Sequence, residues 1–222
     1  MTMKNMILGF AMAGAVAMAA VPANASLFII GGETGDIPGG TAKNDLLKPL
    51  GFGASLDGVF GAQIASDGNN WLKYEFLGFE AGYKNKFETQ DNLVAGSGDG
   101  IFYTENFSGD KVIGSLAAPL ESFVTYSVNG ALDFLFTVNG AYGVSNGDNP
   151  DDADGSAGIN FFAYQIEEDG SILLFFDDSG ANNDDNHDDM GIRISEVPEP
   201  ATLGLLGLGL LGLGAFRRRR VA

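Results

Sequence analysis

The residues with the clearest chemical potential lie in one acidic segment near the C-terminal end, residues 175–197. An apolar run ends at Phe176, and aspartates and asparagines then follow in close succession. The candidate ligands are Asp177, Asp178, Asp184, Asn186, Asp188 and Asp189. Ca²⁺ takes oxygen ligands from carboxylates, amides and backbone carbonyls. The segment therefore predicts a Ca²⁺ site, and a solvated acidic loop is the alternative interpretation.

The density of acidic side chains is itself a reason to expect a cation here. Two unit charges 4 Å apart repel each other by about 1 kcal/mol even in water. A bound Ca²⁺ turns that repulsion into attraction, and a weak site fills at the roughly millimolar calcium of extracellular media. A second acidic segment, residues 146–158, is not an EF-hand, because Pro150 and Phe161 occupy positions that require oxygen ligands.

Composition limits the other kinds of site that the chain can build. It has no cysteine and a single histidine, His187, which excludes thiol chemistry and an ordinary zinc site. We expect His187 to be an exposed loop residue. A glycosidase needs two carboxylates about 5–10 Å apart, one of them with a raised pKa. The acidic residues instead cluster with glycine and asparagine, so the sequence favours a non-enzymatic protein over a glycoside-cleaving enzyme.

Both ends of the chain have the composition of targeting segments. Residues 1–25 combine Lys4, an apolar run and small residues ending at Ala25, which is the order of a cleaved secretory signal peptide. The body, residues 26–196, carries seven basic and 28 acidic residues, a net charge of −21. Such a body repels nucleic acid and anionic lipid, and it suits solubility and divalent cations.

The other end, residues 197–222, begins with Val197, Pro198, Glu199 and Pro200. An apolar stretch over residues 201–216 follows, and as a helix it would span about 24 Å. Arg217, Arg218, Arg219 and Arg220 come next and would sit on the cytoplasmic side of a membrane. The tail predicts a transmembrane helix with an extended proline-containing segment outside it.

This order of motif, apolar helix and arginine cluster resembles the PEP-CTERM sorting signal, also catalogued as an ice-binding protein C-terminal domain. The resemblance implies an exported protein of a Gram-negative bacterium that makes extracellular polysaccharide. Its expected partners are the Sec export machinery, the inner membrane, the transpeptidase exosortase and the exopolysaccharide. Its expected location is the membrane before processing and the cell surface or medium afterwards.

Alternating apolar residues in the body predict β-strands at 72–76, 122–128, 131–138 and 190–197, and the apolar run 171–176 predicts a central strand covered on both faces. Asn139-Gly140 and Asp169-Gly170 are typical of tight hairpin turns. We therefore expect an all-β body, an antiparallel jelly-roll-like β-sandwich, between a signal-peptide helix and a transmembrane helix.

Two body segments also resemble known secreted proteins. Residues 74–88 are similar to a strand of other PEP-CTERM proteins. The Asp177–Asp189 segment resembles the end of a secreted bacterial domain of unknown function, with Asn186 and His187 among its departures from that pattern. A carbohydrate-binding or adhesion module remains an alternative function, in which Trp71 and tyrosines would stack on sugar rings.

Overall fold

Antiparallel β-strands form nearly all of the regular structure of the described residues. The structure, a computed structural model, describes residues 27–39, 44–68, 70–93, 98–127, 129–152, 158–179 and 186–197. Within these ranges the strands are β1 Leu27–Ile30, β2 Glu33–Pro38, β3 Ser55–Phe60, β4 Gln63–Ser66, β5 Asn70–Glu80, β6 Asn85–Thr89, β7 Asn92–Leu93, β8 Ile101–Tyr103, β9 Lys111–Ile113, β10 Glu121–Ser127, β11 Gly130–Ala131, β12 Phe134–Val138, β13 Tyr142–Ser145, β14 Asn160–Gln165, β15 Ile172–Asp177 and β16 Met190–Glu196. The only helical element of the described residues is a 3₁₀ turn, Thr104–Asn106.

The strands form three sheets in the described part of the chain. The largest has the order β2-β3-β14-β15-β16-β5-β10-β7, with β9 also paired to β5. A four-stranded sheet has the order β13-β12-β6-β8, and a three-stranded sheet has the order β1-β4-β11. The strand pairs are antiparallel, which confirms the predicted all-β, antiparallel class. The jelly-roll connectivity stays a prediction.

Strand β15 lies at the centre of the large sheet and is buried along its whole length. Ile172, Leu174 and Phe176 face one hydrophobic cluster, and Leu173 and Phe175 face another. Because neither face meets water, the strand needs no polar alternation, and its sequence is apolar throughout. The prediction of a strand covered on both faces is confirmed.

An aromatic layer joins the large sheet to the four-stranded sheet. Phe136 of β12 stacks on Phe176 of β15 at 4.6 Å between ring centroids, with the ring planes 10° apart. Phe102 of β8 packs on Phe123 of β10 at 4.6 Å. Each buried phenylalanine stabilises the fold by about 1.5–3 kcal/mol through loss of water-exposed apolar surface. This layer fixes β6, and therefore Asn85, close to the large sheet.

The other face of β15 packs against the turn at residues 45–50 and against apolar side chains of β2 and β3. Leu46, Leu47 and Leu50 pack there against Leu173 and Phe175. In this turn Leu50 N donates to Leu46 O at 3.1 Å. The turn brings Asn44 and Asp45 to the segment just before β16.

The two predicted hairpin turns are present. Asn139 and Gly140 both have positive φ, 51° and 67°, and connect β12 to β13. Gly170 has φ 70° between β14 and β15. Positive φ at these positions matches the twist of the flanking strands, so the Asn-Gly and Asp-Gly pairs set the hairpin register.

Some predicted features fall outside the described residues. They are the signal peptide with its cleavage position Ala25, the tail residues Pro198, Glu199 and Pro200, the apolar stretch, Arg217 to Arg220, and the ligand candidate Asp184. Among the residues that are described, none belongs to a helix with the length and apolar character needed to span a membrane. The predicted helices at the two ends therefore stay predictions.

Candidate functional site

The acidic segment brings its two ends together where β15 stops and β16 starts. Asp177 is the last residue of β15, and Asp188 and Asp189 precede Met190, the first residue of β16. Because Phe176 pairs with Met190 across the two antiparallel strands, the flanking aspartates become neighbours. The backbone N–H of Asp178 donates to Asp189 Oδ2 at 2.8 Å. We call Asp177, Asp178, Asp188 and Asp189 the acidic cluster.

The acidic cluster is buried, although it belongs to a polar loop. All four side chains lie almost entirely out of contact with solvent, and Asp188 is 1% exposed. The alternative of a solvated acidic loop is therefore wrong for these four residues. Removing a carboxylate from water favours its neutral form, and neighbouring negative charges add to that effect.

Asp189 shows the electrostatic result most clearly. Burial, together with the charges of Asp178, Asp177 and Asp188, raises the pKa of Asp189 from 3.8 to about 10. No lysine or arginine of the described residues forms an ion pair with Asp189. Without a cation, this carboxyl is therefore protonated at neutral pH, and a cation that displaces the proton would restore the charged form.

Asn85 reaches the acidic cluster from the other sheet. Its Nδ2 donates to Asp178 Oδ2 at 2.5 Å, across 93 residues of sequence, and to the backbone oxygen of Asp189 at 3.4 Å. The residue is 1% exposed, yet its Oδ1 has no hydrogen-bond partner among the described residues. A buried oxygen left without a partner costs about 1–3 kcal/mol. It is also an oxygen donor of the kind that Ca²⁺ takes.

Asn44 and Asp45 hold the segment that precedes β16. Asn44 Nδ2 donates to the backbone oxygens of Asn186 at 2.7 Å and His187 at 3.0 Å. Asn44 Oδ1 accepts hydrogen bonds from Leu46 N and Leu47 N, which fixes the amide on its own turn. Asp45 N donates to Asp188 Oδ2 at 2.6 Å. The turn thus positions Asp188 without contributing a carboxylate of its own.

His187 is not the exposed residue that its polar neighbours suggested. It is 1% exposed, and its ring lies edge-on to Phe60 at 5.4 Å between centroids. Its Nε2 lies 2.8 Å from Asn160 Oδ1. The prediction is wrong because the backbone of His187, with φ 54°, turns the ring toward the apolar cluster around Phe60 and Phe162.

The second acidic segment meets the first through Asn160, the first residue of β14. Asn160 Nδ2 donates to Asp152 Oδ2 at 3.1 Å, while Asn160 Oδ1 faces His187. Asp152 is buried as well. Since Asn160 pairs with Asp177 across β14 and β15, residues of both acidic segments lie at the same end of the large sheet.

These residues offer the oxygen donors that Ca²⁺ prefers. Their side chains are not, however, already arranged as a coordination shell. Within the described ranges, no group of three or more histidine, aspartate or glutamate side chains is arranged to hold a metal ion. The donors near one another are oxygens: the carboxylates of the acidic cluster and the amide oxygen of Asn85. Sequence reasoning missed Asn85, Asn44 and Asn160, because nothing in their local sequence distinguishes them from ordinary strand or turn asparagines.

Val197, the first residue of the predicted tail, directly follows β16, an interior strand of the large sheet. Strand β16 ends at Glu196, and Val197 N donates to Trp71 O at 2.8 Å. The described part of the chain therefore has no linker between its last strand and the predicted sorting motif.

Comparison with protein families identifies that tail. The PEP-CTERM protein-sorting motif matches residues 196–220, so the chain carries this motif and the resemblance is confirmed. The motif indicates an exported protein that is sorted by exosortase to the cell surface or medium. Neither the curated proteins nor the solved structures gave a match to the chain.

Proposed function

We propose that this chain is an exported, non-enzymatic surface protein of a Gram-negative bacterium. The Sec machinery exports it, the tail holds it in the inner membrane, and exosortase then transfers it to the cell surface or the exopolysaccharide matrix. The observation that carries the proposal is the sorting motif at residues 196–220, which follows a folded all-β body without interruption.

Substitution within the motif tests the sorting step. Pro198→Ala combined with Glu199→Ala should leave the protein in the inner-membrane fraction of a host that has an exosortase. The matched control is Ala201→Ser, which leaves Pro198, Glu199 and Pro200 unchanged and should reach the surface. Surface delivery of the double variant at the wild-type level would contradict the proposal.

We further propose that the body is a two-layer sandwich stabilised by Ca²⁺ at the acidic cluster. Asp177, Asp178, Asp188 and Asp189 would supply carboxylate oxygens, with Asp184 and Asn186 as further ligand candidates. Asn85 Oδ1 would contribute an amide oxygen from β6. Because β6 belongs to the four-stranded sheet and the aspartates to the large one, the ion would tie the two layers together.

Thermal unfolding measures this stabilisation. The body is melted in EDTA and then with Ca²⁺ raised to a few millimolar, and Mg²⁺ is the control, since it demands a smaller and more regular ligand shell. A ligand that binds only the folded state at a hundredfold excess over Kd stabilises it by about 2.7 kcal/mol. A melting temperature that Ca²⁺ does not change would contradict the proposal. The acidic cluster would then be a set of protonated and hydrogen-bonded carboxyl groups.

A carbohydrate-binding module is the second candidate, and one observation favours it. Trp71 is 39% exposed on the large sheet, where its ring is free to stack on a sugar. Loss of glycan-array binding in Trp71→Ala, with folding intact, would support this function. A glycoside-cleaving enzyme has less support, because the neighbouring carboxylates of the acidic cluster are buried, whereas hydrolysis needs a pair that reaches the substrate.

A further inference from the structure

Leu27 of β1 and Glu196 of β16 are neighbours in the folded body. The backbone N–H of Leu27, the first described residue, donates to the carboxylate of Glu196. Val197, the last described residue, follows Glu196 in the chain, and its N–H donates to Trp71 O at 2.8 Å. The first and the last described residues therefore both lie near Trp71.

Trp71 and Tyr126 form an aromatic pair at this end. They are direct cross-strand partners on β5 and β10, with ring centroids 5.6 Å apart in an edge-on arrangement. Trp71 is the single tryptophan of the chain, and it is exposed although most large apolar residues of the described body are buried. Lys73, two residues along the same strand face, is partly exposed beside it.

The acidic cluster lies at the opposite end of the same strand. Strand β5 runs through 11 residues from Asn70 to Glu80, which corresponds to about 30 Å. At its far end, Glu80 N donates to Asp188 O at 2.8 Å. The body thus separates an aromatic end, where Leu27 and Val197 lie, from an end with several buried aspartates.

We propose that the Trp71–Tyr126 pair contacts the lipid interface of the membrane that holds the tail. This inference rests on the proposed membrane-held tail. Only three residues separate Val197 from Ala201, where the apolar stretch begins, so the two lie within about 14 Å along the chain. Tryptophan and tyrosine favour the headgroup region, because each has an apolar ring and a polar group.

The charges near Trp71 indicate which lipid headgroups this end of the body could contact. Asp67 lies close to Glu196, so the end is not basic despite Lys73. Anionic headgroups would be repelled, and the occupant is therefore a zwitterionic interface. The aromatic rings, and not a cluster of basic residues, supply the attraction.

The fluorescence of Trp71 tests the proposal directly. The exported chain with its tail is reconstituted into phosphatidylcholine vesicles whose acyl chains are brominated near the headgroup. Contact with the interface should reduce Trp71 emission about twofold. Insertion of a 20-residue Gly/Ser linker between Val197 and Pro198 should restore most of the emission, because the body is then no longer held at the surface.

A second reporter controls for general proximity to the membrane. Tyr142 is 70% exposed, and it pairs with Val138, which in turn pairs with Asn85 beside the acidic cluster. In the double variant Trp71→Phe, Tyr142→Trp, the new tryptophan should keep its emission. Equal quenching at both positions would overturn the proposed orientation.

Vesicle flotation of the same samples distinguishes the lipid contact of Trp71 from the membrane-held tail. Chain that floats and resists carbonate extraction, but whose Trp71 is not quenched, would overturn the lipid contact and leave the pair for a glycan or protein partner. Chain that does not float would contradict the membrane-held tail, and the lipid contact with it. Flotation with quenching at Trp71 alone supports both.

Discussion

Asp189 links the acidic cluster to the pH dependence of stability. Its pKa is about 10 in the folded, metal-free protein, and the ordinary value is 3.8. The folded state therefore binds more protons than the unfolded state between these values, and stability falls as the pH rises. We predict that melting temperatures in EDTA decrease steadily from pH 5 to pH 9.

The variant Asp189→Asn provides the comparison for that measurement. It has no proton to lose, so its melting temperature in EDTA should depend less on pH than that of the wild type. With saturating Ca²⁺ it should be the less stable protein, by up to about 2.7 kcal/mol at a hundredfold excess over the wild-type Kd. Parallel pH curves for the two proteins in EDTA would show that Asp189 does not titrate as described.

Asn85 gives a second prediction for a single residue. Replacement by alanine removes the donor to Asp178 and the amide oxygen that has no partner. We expect a loss of about 1–3 kcal/mol in EDTA, because a buried carboxylate loses a hydrogen bond. We also expect a clear rise in the Kd for Ca²⁺, measured by calorimetry. The control is Asn129→Ala, which changes an exposed asparagine just before β11, away from the acidic cluster, and should leave the Kd unchanged.

The candidate site could be predicted from the sequence only where it is local. Asp177, Asp178, Asp188 and Asp189 lie in one short segment, and the strand pattern on either side indicates that its ends meet. Asn85 and Asn44 are 93 and 142 residues away from their partners, and only the packing of sheets and turns brings them there. The exposure predicted for His187 was wrong, because polar neighbours in the sequence do not indicate the direction in which a residue with positive φ points its side chain.

Strand β5 contains a glycine at the point where its pairing with β16 is irregular. Gly78 has φ 149°, and a Cβ at this position would meet Val112 O at 2.7 Å and Ile113 Cα at 2.9 Å. The register between β5 and β16 shifts at Gly191 and Ile192, opposite this glycine. The shift sets where Glu80 N meets Asp188 O, and so it positions one side of the acidic cluster.

We predict that Gly78→Ala destabilises the body by about 1–3 kcal/mol, because backbone atoms of β9 cannot move away from the new methyl group easily. Urea unfolding monitored by Trp71 fluorescence measures this. Gly82→Ala, where the added Cβ has open space, is the matched control and should change stability little. Equal stability of both variants would contradict this prediction, because it would mean that β9 moves away from the added methyl group at little cost.

Long strands were predictable at the level of elements, and short ones were not. Alternation identified the core of β5, β10, β12 and β16, and the apolar run identified β15. Strands such as β7 and β11 have two residues each, which is too short for any periodicity to appear. Their pairing depends on neighbours already fixed by the longer strands.

The chain combines a C-terminal sorting motif with a body whose two ends differ. One end exposes Trp71, and the other buries the acidic cluster. The sorting motif could be predicted from the sequence alone, because the proline-containing motif, the apolar stretch and the arginines follow one another in the chain. The proximity of Leu27, Val197 and Trp71 could not be predicted in this way, because it depends on how the strands pair in the folded body.

The measurement that tests the account most directly is the intact mass of the protein recovered from a host with an exosortase and from an otherwise identical strain without it. The account predicts a surface form that starts at Ser26 and lacks Arg217 to Arg220 in the first strain. In the second strain, the chain should remain in the membrane fraction and extend to Ala222. A surface form that keeps Ala222 in both strains would contradict exosortase sorting.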